Sequence, residues 1–177
     1  SKVSSTPQND YLILNENNAV SSNSGRWNNT APTTSVFTLG DGSETNGNGN
    51  SHIAYCFADK KGFFASGVYQ GNSNSNGKFV YCGFKPALVI CKRHDSSSNG
   101  NWTMHDNKRP GYNPTNKTLY PNQPYSEDTG LGRGMELFSN GFKFTGNDEG
   151  NTSGGHIFMA WAENPFVTST AIPTTGR

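Results

Sequence analysis

Short segments rich in β-branched and aromatic residues recur along this chain, and loops rich in glycine and asparagine separate them. In the first of them, Ile53, Tyr55 and Phe57 alternate with alanine and cysteine, so bulky side chains point to one face of an extended chain and small ones to the other. This alternation is typical of β-strands. Helical spacing of apolar residues is not evident anywhere in the chain.

The predicted strands cover 52–58, 62–70, 78–84, 86–94, 101–106, 135–139, 142–146 and 156–163. Residues 79–84 are apolar on both faces, which is typical of a central strand. Ser139-Asn140-Gly141 predicts a tight hairpin, because Asn-Gly accepts the positive φ that such turns require. We therefore expect an all-β fold, an antiparallel β-sandwich of jelly-roll or lectin-like type with little or no helix.

The composition excludes several functional classes. Gly, Asn, Ser and Thr make up 79 of the 177 residues, whereas charged residues are only 15% and the net charge is +1. A nucleic-acid-binding protein needs a strongly basic face, which this chain lacks. No apolar run approaches the ~20 residues of a membrane span, so we expect no membrane insertion. The aromatic content of 12% argues against disorder.

Three cysteines, Cys56, Cys82 and Cys91, each lie in an apolar run. Three thiols cannot all pair within one chain, and no Cys-x-x-Cys motif is present. We expect small buried thiols rather than a disulfide framework or a zinc site.

The chain contains an internal repeat. The stretch from Phe37 through His52-Ile-Ala-Tyr-Cys-Phe-Ala-Asp59 matches that from Phe142 through His156-Ile-Phe-Met-Ala-Trp-Ala-Glu163. Phenylalanine and histidine are 15 residues apart in the first copy and 14 in the second. We expect a half unit over 1–61 that packs with a complete unit over 62–177 in one continuous β-sandwich, the chain beginning in mid-unit.

Several of these blocks resemble a known repeat domain. Gly67-Val-Tyr-Gln-Gly-Asn72, the run from Phe79 to Arg93, the run from Arg26 to Phe37 and Leu137-Phe-Ser-Asn-Gly-Phe-Lys143 are similar to a repeat domain of unknown function in tail-fibre and appendage proteins of marine and cyanobacterial phages. The run from Glu163 to Arg177 resembles the closing sequence of such proteins. The resemblance implies a virion-surface, extracellular protein with Arg177 as its natural C-terminus, and it supplies no catalytic residues.

Side chains suited to catalysis or metal binding are scattered. Glycoside hydrolysis needs two carboxyl groups about 5–10 Å apart, whereas the adjacent acids at 127–128 and 148–149 lie in glycine-rich loops, as solvated turn residues do. The four histidines are too dispersed to form a ligand set. The 41–50 loop offers oxygen ligands for calcium but does not match an EF-hand. We therefore expect no catalytic residues, no metal site and no cofactor.

Carbohydrate binding is the interaction that the residue types favour. Aromatic rings pack on the apolar face of a sugar, while amides and carboxylates bind its hydroxyls. The candidate ligand-binding residues cluster at one strand end and the following loop: Trp102, His105, Asp106, Lys108, Arg109 and Tyr112. Trp27 with Asn28 and Asn29 is a second candidate. In the alternative interpretation, both tryptophans are core side chains.

We therefore expect a non-enzymatic phage tail-fibre or appendage protein that attaches to a host surface, through polysaccharide, by many weak contacts. The expected partners are further copies of the chain, as a trimer or filament, and a host cell-surface glycan. Two alternatives stay open. One is a purely structural fibril or decoration subunit without a ligand, and the more remote one is a polysaccharide-degrading enzyme.

Overall fold

The computed structural model describes residues 8–109 and 113–165, and it is built almost entirely from antiparallel β-sheet. The strands are β1 (Asp10–Tyr11), β2 (Ser21–Ser22), β3 (Phe64–Gly71), β4 (Phe79–Tyr81), β5 (Pro86–Arg93), β6 (Trp102–Asp106), β7 (Met135–Phe138), β8 (Gly141–Phe144) and β9 (Gly154–Ala162). Two single-turn helices, α1 (Ser24–Trp27) and α2 (Ser43–Asn46), and a 3-10 turn (Leu131–Arg133) complete the described part.

Two larger sheets form the sandwich. One has the strand order β3-β9-β5-β6 and the other β4-β8-β7, while β1 and β2 pair separately. Every pairing between these strands is antiparallel. The last strand, β9, lies between β3 and β5, so these two strands are joined in the sheet through a strand that begins about 60 residues after β5 ends.

The core lies between these two sheets. Val89, Cys91 and Phe158 from the four-stranded sheet share one buried cluster with Phe142 and Phe144 from the three-stranded sheet. The Phe142 ring lies edge-on to Phe158, with 5.5 Å between ring centroids. Aromatic rings therefore fill most of the volume between the layers, as expected for a chain with few aliphatic residues.

Seven of the eight predicted strands are confirmed in position, with ends that differ by a few residues. The predicted hairpin is also present, because Phe138 pairs directly with Gly141 and leaves Ser139 and Asn140 as a two-residue turn between β7 and β8. The small helical content is confirmed too, since the helices are single turns.

The predicted strand at 52–58 is wrong for this structure. These residues have no strand or bridge assignment, and Ile53 and Tyr55 are 80% and 81% exposed. Cys56 is exposed as well, which corrects the expectation that all three thiols are buried; Cys91 is buried, Cys82 is half-buried and all three are free. Alternation marks a segment able to form a strand, but a strand needs a neighbouring edge to pair with.

The region before β3 attaches to the sandwich at a few points. The Trp102 indole N–H donates to the carbonyl of Ile13 at 2.9 Å, and the Val20 N–H donates to the carbonyl of His94 at 2.8 Å. Further along, residues 28–39 and 48–59 are almost entirely exposed. The predicted division into a half unit at 1–61 and a complete unit from 62 stays a prediction.

Candidate functional site

A polar cleft that is open to solvent has a volume of about 790 Å³. The start of β6 and the loops before β7 and β9 form its walls. Its lining residues are Asn101, Tyr120, Pro124, Tyr125, Ser126, Glu127, Asp128, Thr129, Arg133 and Glu149. An isolated bridge between Met104 and Leu119 holds the long loop against β6, and a second bridge, between Thr118 and Asp128, joins two parts of that loop. The cleft therefore depends on loop segments that the sheet holds in place.

Arg133 is the electrostatic centre of the cleft. The 3-10 turn at Leu131–Arg133 presents the guanidinium to Asp128 and Asp148, with N···O distances of 2.9 and 3.0 Å, and Glu149 lies 3.6 Å away. Burial alone would lower the pKa of Arg133, but Tyr120 and these carboxylates outweigh it and raise the pKa. Both acidic pairs of the sequence thus contribute to one cleft around a single arginine.

Two tyrosines supply the aromatic surface. Tyr120 is buried at the floor and Tyr125 is 60% exposed, with their rings edge-to-face at 5.7 Å between centroids. Burial, and next the charge of Glu149, hold the pKa of Tyr120 well above its ordinary value. Its hydroxyl therefore keeps its proton and lies 3.4 Å from an Asp128 carboxylate oxygen. The Tyr125 ring is the aromatic surface of the cleft that a ligand can reach.

Side-chain amides fix the wall of the cleft at Asn101. The Asn101 amide N–H donates to Glu149 at 2.7 Å, and its carbonyl accepts bonds from Asn122 at 2.9 Å and Gln123 at 3.1 Å. Asn122 in turn accepts the backbone N–H of Trp102 at 3.0 Å. Because each amide has a defined partner, the donors and acceptors of this wall are held in one arrangement before a ligand arrives.

The sequence-predicted residues fall into separate environments. Trp102 is buried, with its indole N–H bonded to Ile13, which is the geometry of a core side chain. His105 is fully buried and lies edge-on to Phe144 at 5.8 Å. The rings of Trp102 and His105 therefore present no face to solvent in this structure. Tyr112 lies outside the described residues.

Asp106 and Arg109 border the cleft without lining it. Their side chains form an ion pair at 2.6 Å, and Arg109 also reaches Glu127, a lining residue, at 3.3 Å. The bonds from the Lys108 and Arg109 backbone and from the Arg109 side chain outweigh the burial of Asp106 and lower its pKa. Lys117 binds the other Glu127 oxygen at 3.2 Å. These residues position one wall of the cleft.

The second predicted candidate lies beside a smaller cleft. Asn28 and Asn29, together with Asp41 and Asn46, line a cavity of about 630 Å³, while the indole N–H of Trp27 donates to the Asp10 carbonyl at 3.1 Å. Trp27 is half-buried and does not line that cavity.

The two clefts share a local arrangement. Arg26 follows Gly25 and Arg133 follows Gly132, and each guanidinium lies over a tyrosine ring, at 3.7 Å from Tyr11 and 5.9 Å from Tyr120. In each of these two arrangements, a second glycine packs against the carbonyl oxygen of the glycine that precedes the arginine. A Cβ at Gly40 would lie 2.1 Å from the Gly25 oxygen, and a Cβ at Gly146 1.9 Å from the Gly132 oxygen. The internal repeat thus also includes a Gly-Arg pair in each copy.

Sequence reasoning missed Tyr120, Tyr125 and Arg133 because they lie in one long stretch between β6 and β7 that carries no recognisable motif. The repeated Gly-Arg pair was the one available signal for Arg133. Among residues 8–109 and 113–165, no group of three or more His, Cys, Asp or Glu side chains could hold a metal ion. Within the same ranges, no helix has the length and apolar character needed to cross a membrane.

Comparison with known proteins supplies a family but no function. Neither a curated protein nor a solved structure matches this chain. One family model matches residues 1–165, and it describes a domain of unknown function, DUF7483. The match spans the early region, the sandwich and the cleft. The chain therefore belongs to the DUF7483 family.

Proposed function

We propose that this protein is a non-enzymatic phage virion-surface protein, of a tail fibre or appendage, that attaches to host-surface polysaccharide through the Tyr125 cleft. The observation that carries the proposal is the exposed Tyr125 ring beside a wall of fixed amides and carboxylates. Sugars need this combination, an apolar ring for their C–H face and oriented polar groups for their hydroxyls. The phage assignment rests on the resemblance of the sequence blocks.

The polar groups of the cleft favour hydroxyl recognition. Glu127, Asp128 and Glu149 offer carboxylate acceptors, and Arg133 offers donors. The four carboxylates at the cleft outnumber the three cations paired with them by one, so the cleft disfavours anionic ligands. We expect neutral or amino sugars to bind better than uronic or sialic acids.

Affinity per site is expected to be weak. The cleft is open and a single exposed ring contributes little contact area, so one sugar loses few water contacts on binding. A virion presents many copies, and simultaneous binding to a polymer raises the overall affinity by a factor of about 10²–10⁴. A weak site is therefore sufficient for attachment.

The test is binding of the full chain to a glycan array, followed by calorimetry with the best neutral and acidic oligosaccharides. Tyr125→Ala should abolish detectable binding while leaving the fold intact, because the ring is exposed. The matched control is Tyr81→Ala, which removes a tyrosine of similar exposure from β4, outside the cleft. Equal loss in both variants, or unchanged binding in Tyr125→Ala, would contradict the proposal.

A purely structural subunit is the second candidate. The observation that favours it is the exposed apolar set between residues 36 and 57, in particular Val36, Ile53 and Tyr55. Electron microscopy of concentrated protein would show filaments if this role is correct. Polysaccharide degradation is the third, and new reducing ends released from host polysaccharide would reveal it.

A further inference from the structure

Residues 52–58 carry the sequence of a central strand but are unpaired. Their repeat counterpart is β9, in which Ile157, Met159 and Trp161 occupy the positions of Ile53, Tyr55 and Phe57. In β9 these residues are half-buried and paired on both sides, whereas Ile53 and Tyr55 are four-fifths exposed. The 52–58 segment of the first repeat copy therefore lacks the neighbouring strands that β9 has in the second copy.

The start of the segment already has the local geometry of β9. The Nδ1 atom of His52 lies 3.2 Å from the carbonyl oxygen two residues earlier, at Asn50. The Nδ1 atom of His156 makes the same contact with Gly154, at 3.1 Å. β9 pairs antiparallel with both β3 and β5, and of these two only β3 lies at an edge of the sheet, so β3 is the strand to which this sequence can add.

The outer edge of β3 is open beyond Ser66, whose backbone N–H donates to the Asp59 carboxylate at 2.7 Å. The N–H of Phe64 donates to the Lys60 carbonyl at 3.0 Å, on the side away from β9. Alternate residues of an antiparallel strand direct their backbone groups to the same side, so those of Val68 and Gln70 also point outwards. No residue of the described ranges bonds to the outward groups of these two, and the Val68 side chain is 45% exposed.

Within one chain, the 52–58 segment cannot pair with this edge in the register that its side chains require. Continuing the Lys60–Phe64 bridge would place Tyr55 opposite Tyr69, on the face that packs into the core. The Phe57 ring instead packs on the opposite face, 5.5 Å from the Phe64 ring and 5.6 Å from Trp161. A shift of one residue reverses every side chain, so intrachain pairing would direct the bulky residues of the segment into the occupied core.

We propose that residues 52–58 of one copy of this chain add as an antiparallel strand to the outer edge of β3 in a second copy. Tyr55 lies opposite Val68 and Ile53 opposite Gln70, so the bulky side chains cover the exposed face of β3. The donor segment and the acceptor edge are different surfaces, and such a head-to-tail contact repeats into rings or filaments.

Two variants separate the halves of this contact. Tyr55→Asp damages the donor segment, and Val68→Lys places a charge on the acceptor edge, a substitution that edge strands tolerate. Light scattering on a sizing column should show a mass that rises with concentration for the unaltered chain. Each variant should associate at least about tenfold more weakly. The control is Leu131→Asp, which changes an equally exposed apolar residue elsewhere and should associate normally.

Mixing the two variants gives the decisive result. Val68→Lys retains the donor and Tyr55→Asp retains the acceptor, so an equimolar mixture should form a dimer of about twice 19.1 kDa. Circular dichroism of each variant confirms that it is folded. The proposal is overturned by an unaltered chain that stays monomeric at every concentration, by variants that associate as the unaltered chain does, or by a mixture that stays monomeric. Slow hydrogen exchange at 52–58 in a monomer would overturn it in favour of intrachain pairing.

Discussion

Two buried histidines should make this protein unstable in mild acid, and His105 gives the sharper test. Its side chain is fully buried and neither ring nitrogen has a hydrogen-bond partner in the described ranges. Burial, reinforced by the nearby Arg109 charge, lowers its pKa from 6.5 to about 3. Burial likewise lowers the pKa of His156 to about 4. Both rings are therefore neutral in the folded protein at neutral pH.

The sign of the effect follows from proton uptake. Below pH 6.5 the unfolded chain binds a proton at each histidine, while the folded chain does not until the pH approaches 3 or 4. Acid therefore favours the unfolded state, and the free energy of unfolding falls as the pH drops through this window. Between pH 7.5 and pH 5.0 the loss is about 2 kcal/mol per histidine. The size of this loss is set by the pKa of each histidine in the unfolded chain, provided that its pKa in the folded protein stays near or below about 4.

The two losses together, about 4 kcal/mol, are a large part of the 5–15 kcal/mol that holds a typical domain folded. The assay is urea unfolding at pH 7.5 and pH 5.0 for the unaltered chain, His105→Leu and His52→Leu. The leucine at 105 should reduce the pH-dependent loss by about 2 kcal/mol. The exposed His52 variant should reproduce the unaltered chain.

Comparing each variant with itself at two pH values removes the effect of the substitution on stability at neutral pH. Asp95 and Asp106, whose pKa values are lowered from 3.8, lose their contribution only at more acidic pH, outside this window. If His105→Leu showed the same pH dependence as the unaltered chain, the folded protein would be able to protonate His105. The assignment of a neutral, unpartnered ring would then be refuted.

Two further substitutions test the packing. Phe142→Ala should lower the free energy of unfolding by about 3–5 kcal/mol, because the ring is fully buried. Phe37→Ala, at the repeat-equivalent position, should lower it by less than about 0.5 kcal/mol in the monomer. Urea unfolding of both variants checks this, and equal losses would show that the first copy is also packed. Asn151→Ala should lower the free energy of unfolding by about 2–4 kcal/mol, because the buried amide donates to the carbonyls of Asn74 and Gly146 at 2.8 Å and accepts from Asn72. Urea unfolding of the exposed Asn48→Ala variant is the control. Similar stability of the two variants would contradict the argument.

The local sequence pattern was sufficient to predict those strands that pair with a neighbouring strand in the structure. Residues 86–94 and 156–163 have apolar side chains at the strand period, and the structure pairs them. The same pattern at 52–58 could not reveal that its partners are absent, because pairing depends on distant segments. The exposure of Cys56 follows from that one difference rather than from its own neighbours.

The cleft was less accessible to prediction. Asn101 precedes β6, whereas Tyr125 and Arg133 lie between β6 and β7. The Met104–Leu119 bridge to β6 and the Arg133 ion pairs help to bring these segments together. Trp102 illustrates the converse limit, since a tryptophan at a strand start is suited to sugar stacking or to a core, and its burial decides which. The acidic pairs at 127–128 and 148–149 looked like solvated turns because their shared partner, Arg133, is not adjacent in sequence.

Strand addition and glycan binding use separate surfaces, and this separation links the two proposals. Neither Tyr55 nor Val68 lines the cleft, so the Tyr55→Asp variant keeps an intact binding site. If a weak site works through copy number, this variant should bind a short oligosaccharide as the unaltered chain does. Its binding to the long polymer should weaken by a factor of about 10 or more, because the copies are no longer linked. Equal loss for both ligands would mean that residue 55 supports the cleft, and no loss for either would mean that assembly has no part in attachment.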